Sequence, residues 1–331
     1  YPDVPDPYSW EVPSVGDARF TWEYDEGRAR RLSLYQKGKD KQWDAQSRID
    51  WSLDVDPTNP IGLPDQMQPL FGSPAWEAAD EARRAEIRQH NAAWGFSQFL
   101  HGEQGALMVA AQLVNAVPHT DAKFYAATQT MDEARHVEVF AKYLDTKLSG
   151  NYPVNHHLRL LLDDIINDSR WDMTYLGMQV MVEGLALAAF GMAYQVTPDP
   201  LLKQLLRYVM SDEARHVAFG VLSLQEYYAG LTDAELLERQ EFAFEAAVRM
   251  RDRFLQQEAW ERMDVPVKEA IELVMRTPTR QVFQMMLFSK IVPNCKKLGL
   301  LDRNDKWLRH RFEELGVIQF EDWVDTGDEY E

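Results

Sequence analysis

Six side chains in two matching sets stand out in this 331-residue sequence, because together they could hold a pair of divalent cations. Shifted by 80 residues, the chain partly repeats itself. Glu103 falls on Glu183, Pro118 on Pro198, and the string Asp132-Glu133-Ala134-Arg135-His136-Val137 on Asp212-Glu213-Ala214-Arg215-His216-Val217. Each half therefore offers one Glu and, 30 residues on, a Glu-x-x-His. On a helix, residues i and i+3 lie about 60° apart around the axis and about 4.5 Å apart along it. Glu133 and His136 can then reach one ion from a single helix face, as can Glu213 and His216, with Glu103 and Glu183 entering from two further helices. Four carboxylates in an apolar core repel one another unless cations pair with them, and two divalent ions neutralise all four. Oxygen-rich, nitrogen-poor ligation without thiolate suits iron or manganese better than structural zinc.

A single Glu-x-x-His is common on solvated helices and carries little information. Of the eight histidines, however, only His136 and His216 have Glu three residues earlier, and both copies sit in the same six-residue string. A metal-bound imidazole normally donates its other N–H to a carboxylate or carbonyl. The pseudo-symmetry places Asp132 to serve His216 and Asp212 to serve His136, with Arg135 and Arg215 pairing with the aspartates. Ordinary intrahelical Asp–Arg pairs are the plainer alternative.

These residues need four neighbouring helices, and the periodicity supplies them. Apolar residues recur every 3.6 positions from Ala75 onward, which predicts helices at about 76–117, 120–148, 156–167, 170–196, 200–229 and 232–262. Asp199 reads as an N-cap with Pro200 at the first helical position, and Thr232 with Glu235 as a capping box. Shorter helices are expected at 266–276, 279–292 and 302–315. The fold class is thus all-α, a four-helix bundle made of two Glu/Glu-x-x-His hairpins over residues 76–230. Residues 1–75, with nine of the sixteen prolines, are expected to form an irregular arm holding a helix near 26–38 and a short piece around Ala45. Residues 231–331 supply accessory helices and an acidic tail from Glu321, within the same globular unit.

The bulk properties exclude several functions. The net charge of −18 and the lack of a basic patch argue against nucleic acid as a partner. No Gly-rich loop follows a strand, so a dinucleotide or nucleoside triphosphate site is not expected. The single cysteine, Cys295, excludes a disulfide framework and a Cys-rich metal site, and fits the cytosol. No signal peptide is visible, and a cytoplasmic location is expected. Residues 177–196 are almost wholly apolar, but they carry Glu183 near the middle. They read as the centre of a bundle rather than a membrane span.

Glu103, Glu133, His136, Glu183, Glu213 and His216 match the ligand pattern of the ferritin-like di-iron carboxylate superfamily, which residues 76–230 resemble. The Asp-Glu-x-Arg-His strings are similar to its oxygen-activating branch. That resemblance implies two iron ions, with Mn/Fe as the variant, and dioxygen as co-substrate. It also implies electrons from a separate reductase or ferredoxin, since no flavin or iron–sulfur motif is present. The activity implied is hydroxylation or N-oxygenation of a small, largely apolar organic molecule by a homodimer. A desaturase-like acyl oxidase, a ribonucleotide-reductase-like small subunit and a non-catalytic iron-binding subunit are the alternatives. Single positions do not choose among the subfamilies. Phe140 stands where reductase small subunits carry their radical Tyr, Leu187 and Ala186 where monooxygenases and desaturases carry Thr, and Val209 where arylamine oxygenases carry a third His.

The imperfections of the repeat suggest a pocket. Phe140 pairs with Gly220 and Ala110 with Phe190, so a side chain is missing near one metal position only. Phe99, Leu107, Phe140, Gln179, Leu187, Phe190 and Gly220 are the candidate lining, with Gln179 as a polar handle. Plain core packing is the competing reading.

Overall fold

Helix ends follow from caps written in the sequence. In the computed structural model the Asp80 carboxylate accepts from the Arg83 N–H and opens α3 (Glu81–Ala116). Thr120–Lys147 forms α4, after Pro118 has broken the chain. The Asn155 side chain accepts from two N–H groups at the start of α5 (His156–Asn167). Asp199 caps α8 (Pro200–Tyr228), and the Thr232/Glu235 capping box opens α9 (Asp233–Asp252). The described residues are 10–324 apart from Val15, Glu23, 25–27 and Ser149. The prolines of the first nine residues, the helix start expected at 26 and the tail beyond 324 lie outside them.

Four rods make the bundle: α3, α4, the continuous stretch Trp171–Val196, and α8. The third rod is not uniform. It runs as α6 (Trp171–Tyr175), a π-helical segment Leu176–Val182, and α7 (Glu183–Val196). By length and composition it could cross a membrane, but 78% of its most apolar window is buried. It is the centre of the helical core, packed on α8, α9 and α12. The arm contributes α1 (Ala29–Asp40), which lies against α4 and α8 and delivers Gln42 and Trp43 toward the bundle interior.

Several expected boundaries shift for local reasons. The helix expected from 76 begins as a single turn, α2 (Pro74–Glu77), and restarts at Glu81 because Asp80 caps afresh. The helix expected to reach 262 ends at Asp252. A 3₁₀ turn, Arg253–Leu255, follows, and Gln256 takes a left-handed φ of 55° before α10 (Gln257–Arg262). Val267–Val274 is α11, and Pro278–Lys297 is α12. Asn304, Asp305 and Lys306 all have positive φ, so α13 starts only at Trp307 and ends at Glu314. The segment around Ala45 is a turn.

Candidate dinuclear metal centre

Burial sets the electrostatics of the site. Glu133, His136, Glu213 and His216 are fully buried, and Glu103 and Glu183 nearly so. Helical spacing puts each Glu-x-x-His on the inner face of its rod, and the bundle brings the two faces together. Two groups of four side chains result: Glu103, Glu133, His136 and Glu213, and Glu133, Glu183, Glu213 and His216. Glu133 and Glu213 belong to both groups, so they stand where bridging ligands would stand. His136 Nδ1 lies 3.2 Å from Glu103, 3.3 Å from Glu133 and 3.0 Å from Glu213. His216 Nδ1 lies 3.0 Å from Glu133, 3.8 Å from Glu183 and 3.6 Å from Glu213.

The far side of each imidazole is occupied as the pseudo-symmetry suggests. His136 Nε2 is 3.2 Å from Asp212, and His216 Nε2 is 3.2 Å from Asp132. Arg135 donates to Asp132 at 2.5 Å and to Asp212 at 2.9 Å, and Arg215 donates to Asp212. The pairs are therefore more than intrahelical: Arg135 links both halves. Two arm residues, which no sequence spacing marks, complete the layer. Trp43 Nε1 donates to Asp212 at 2.8 Å, and Gln42 Nε2 donates to Asp132 at 2.7 Å.

The donor set fits a pair of cations. With Nε2–H donated to an aspartate, each Nδ1 turns a lone pair toward carboxylate oxygens. Glu133 Oε2, Glu183 Oε2, both Glu213 oxygens and His216 Nδ1 are buried without a hydrogen-bond donor. Lone pairs left this way are costly unless a positive charge sits among them. The charges also balance: four glutamates against two divalent ions, and two aspartates against two arginines.

Protonation replaces those ions in the metal-free protein. Burial, then the neighbouring Glu213, hold the Glu103 and Glu183 carboxyls well above their ordinary value of 4.5. Burial alone would lower both imidazoles. For His136 the hydrogen bond to Asp212 and the close carboxylates of Glu103, Glu133 and Glu213 outweigh it; for His216 the charge of Glu133 and further carboxylate contacts do so. Both are raised well above 6.5. Burial would raise Glu133 too, but the charge of His216 and hydrogen bonds from both imidazoles hold it below the usual carboxylate range. The sign of the pH dependence follows. Above pH 4.5 the unfolded chain releases the Glu103 and Glu183 protons while the folded chain keeps them, so stability falls as pH rises. The histidine contribution is complete below 6.5 and is lost as pH rises through the raised folded values. Metal-free protein is expected to melt lower at pH 8.5 than at pH 5.5. Its gap to the metal-loaded form should widen, because ligation needs deprotonated side chains. A metal-free melting temperature that rises over this range would contradict the assignment.

Two spaces near the centre border few of the residues that the repeat suggests. A crevice lined by Gln98, Phe99, Gly102, Glu103, Glu183 and Arg253 reaches the centre. Phe99 is shared with a mainly apolar cavity of about 220 Å³, bounded also by Trp94, Met192, Phe254, Arg280 and Phe283. Of the seven candidates only Phe99 lines these spaces. Phe140 and Phe190 stack in the core with centroids 5.5 Å apart, Leu187 is buried there, and Leu107 lines neither space. The gap at Gly220 is filled: a Cβ there would stand 2.8 Å from Gln179 Cβ. Interiors close-pack, so a missing side chain on one helix is taken up by its neighbour. Gly220→Ala should cost about 1–3 kcal/mol through overpacking. Denaturant unfolding measures this, and the cost should shrink in a Gln179→Gly background, where the clashing Cβ is gone; an unaffected stability would reopen the pocket reading.

Fold and centre together define a ferritin-like dinuclear carboxylate oxidoreductase of the di-iron oxygenase/oxidase class. The family model described as P-aminobenzoate N-oxygenase AurF matches residues 25–299, and the chain belongs to this family. Val209 stands where the resemblance to arylamine oxygenases would place a third His. The fold is shared with variants of an R2-like ligand-binding oxidase with an anaerobically reconstituted Mn/Fe cofactor. One has a TM-score of 0.53 at 17% identity, covering 80% of this chain and 95% of that one. Another has a TM-score of 0.52 at 18% identity, covering 84% and 95%. No curated protein matches the sequence.

Proposed function

We propose that Glu103, Glu133, His136, Glu183, Glu213 and His216 hold two iron ions, or one manganese and one iron, and that the enzyme oxygenates a small, largely apolar organic molecule. N-oxygenation of an arylamine is the favoured reaction, given the family. When bound, the metal pair supplies dioxygen activation, with electrons from a separate reductase or ferredoxin. The observation that carries this reading is the apolar cavity meeting the crevice at Phe99, beside Glu103 and Glu183. Its aromatic wall excludes water and receives a ring face. The arm, bundle and accessory helices act as one unit, in a cytoplasmic homodimer.

Arg253 gives the crevice a polar end. It is 3% exposed, its Nε has no acceptor, and NH1 reaches only the Met250 sulfur at 3.7 Å. Burial lowers its pKa to about 9. A buried cation without a carboxylate partner favours a substrate that brings one. The test is anaerobic iron loading, then mixing with dioxygen and a chemical reductant in the presence of 4-aminobenzoate or aniline. An N-oxygenated product detected by mass spectrometry is expected. Iron oxidation with neither amine converted would overturn the reading. Arg253→Met should raise KM for 4-aminobenzoate at least about 10-fold, in line with a lost charge-assisted hydrogen bond, while KM for aniline and iron content hold. Equal changes for both amines would remove the anchoring role.

A further inference from the structure

The two halves of the centre differ one helical turn before each Glu-x-x-His. On α4 that position is Gln129; on α8 its mate is Val209. Gln129 is fully buried. Its Nε2 donates to Glu183 at 2.9 Å and to Glu133 at 3.2 Å. Its Oε1 accepts from Gln179 Nε2 at 3.3 Å. Gln179 belongs to the π-helical segment, and its Cβ is pressed over Gly220, so the clamp is itself held in place. Val209 has no donor to offer in the other half. Glu103, the mate of Glu183, has no amide partner: its contact within the cluster is His136, and it borders the crevice beside Gly102 and Phe99.

We infer that Gln129 is a positioning residue that makes the two metal positions unequal. Resting on the reading that the six side chains hold two ions, the His216 position becomes the tight one and the His136 position the weaker, adaptable one. A carboxylate whose rotation is already restrained loses less freedom when it binds an ion. Outer partners of this kind are worth about 10–100-fold in metal affinity. Glu103, without such a restraint, is the carboxylate that reorients when a ligand arrives from the crevice.

Anaerobic titration of metal-free protein with Mn(II), followed by EPR, tests this. Free ion gives a six-line signal, one bound ion an isolated-ion spectrum, and a filled pair a spin-coupled one. Wild type should bind in two resolved steps, with mostly singly occupied chains at one equivalent. Gln129→Leu should weaken the first step about 10–100-fold, so that coupled pairs already form at one equivalent. Gln179→Leu, which removes only the clamp's support, should shift the same way by less, and serves if Gln129→Leu does not fold. Two unresolved steps in wild type, or unchanged steps in both variants, would overturn the role of Gln129. Wild type that binds no pair of ions would instead overturn the centre itself.

Discussion

Glu213→Ala will empty both metal positions at once, whereas Glu103→Ala will empty one. Glu213 is common to both four-residue groups, while Glu103 belongs only to the group of His136. Removing a shared carboxylate takes a ligand from each ion and leaves the remaining charge unbalanced for two cations. Iron should fall from two per chain to near zero. Turnover should drop by more than the roughly 10–100-fold that follows loss of an outer partner of a metal ligand. The metal-free chain should keep its helical content, because deleting one of four crowded carboxylates relieves repulsion in a fully buried cluster. Glu103→Ala should retain about one ion, since Glu133, Glu183, Glu213 and His216 stay whole. Iron analysis with circular dichroism on the two variants decides the matter. Two irons retained in Glu213→Ala, or equal loss in both variants, would contradict the shared-ligand geometry.

Asp212→Ala should be the most damaging change outside the ligands, and through stability as much as metal binding. One carboxylate, 1% exposed, takes hydrogen bonds from His136, Trp43, Arg135 and Arg215. Alanine leaves two buried guanidiniums short of an acceptor and frees the His136 ring. Breaking a buried ion pair by removing one partner costs about 3–5 kcal/mol. Metal affinity should fall by about 10–100-fold in addition. Asp212→Asn preserves the shape and one acceptor oxygen, so it should lose less stability while still weakening the metal. Equilibrium unfolding of the metal-free variants separates the two effects. A loss below about 1 kcal/mol for alanine, the scale of an exposed pair, would mean that the network is ornamental.

Both expectations depend on residues from the repeat, yet they reach different levels of the molecule. The six clustered side chains and their aspartates are legible in the sequence because i, i+3 and i+4 relations are properties of a helix before any packing occurs. The capping residues Asp199, Thr232 and Glu235 were equally legible, since a cap acts on the next turn of its own chain. Gln129 could have been found in the same way. It lies four residues before Glu133 on the same face, and asking what occupies that turn in each half exposes the mismatch with Val209.

What the sequence determined alone was which six carboxylates and imidazoles converge, the pairing of halves and the bundle that follows from them, because helical periodicity is a local constraint. Only the tertiary structure decided where the apolar cavity and the crevice lie and what surrounds the aspartates. Gln42 and Trp43 meet Asp132 and Asp212 across 90 and 169 residues of chain, and no spacing rule reaches that far. Gln179 fills the gap at Gly220, and Arg253 is left without a carboxylate where α9 ends. Close packing settles such matters collectively, since each void is filled by whichever neighbour the whole fold brings to it.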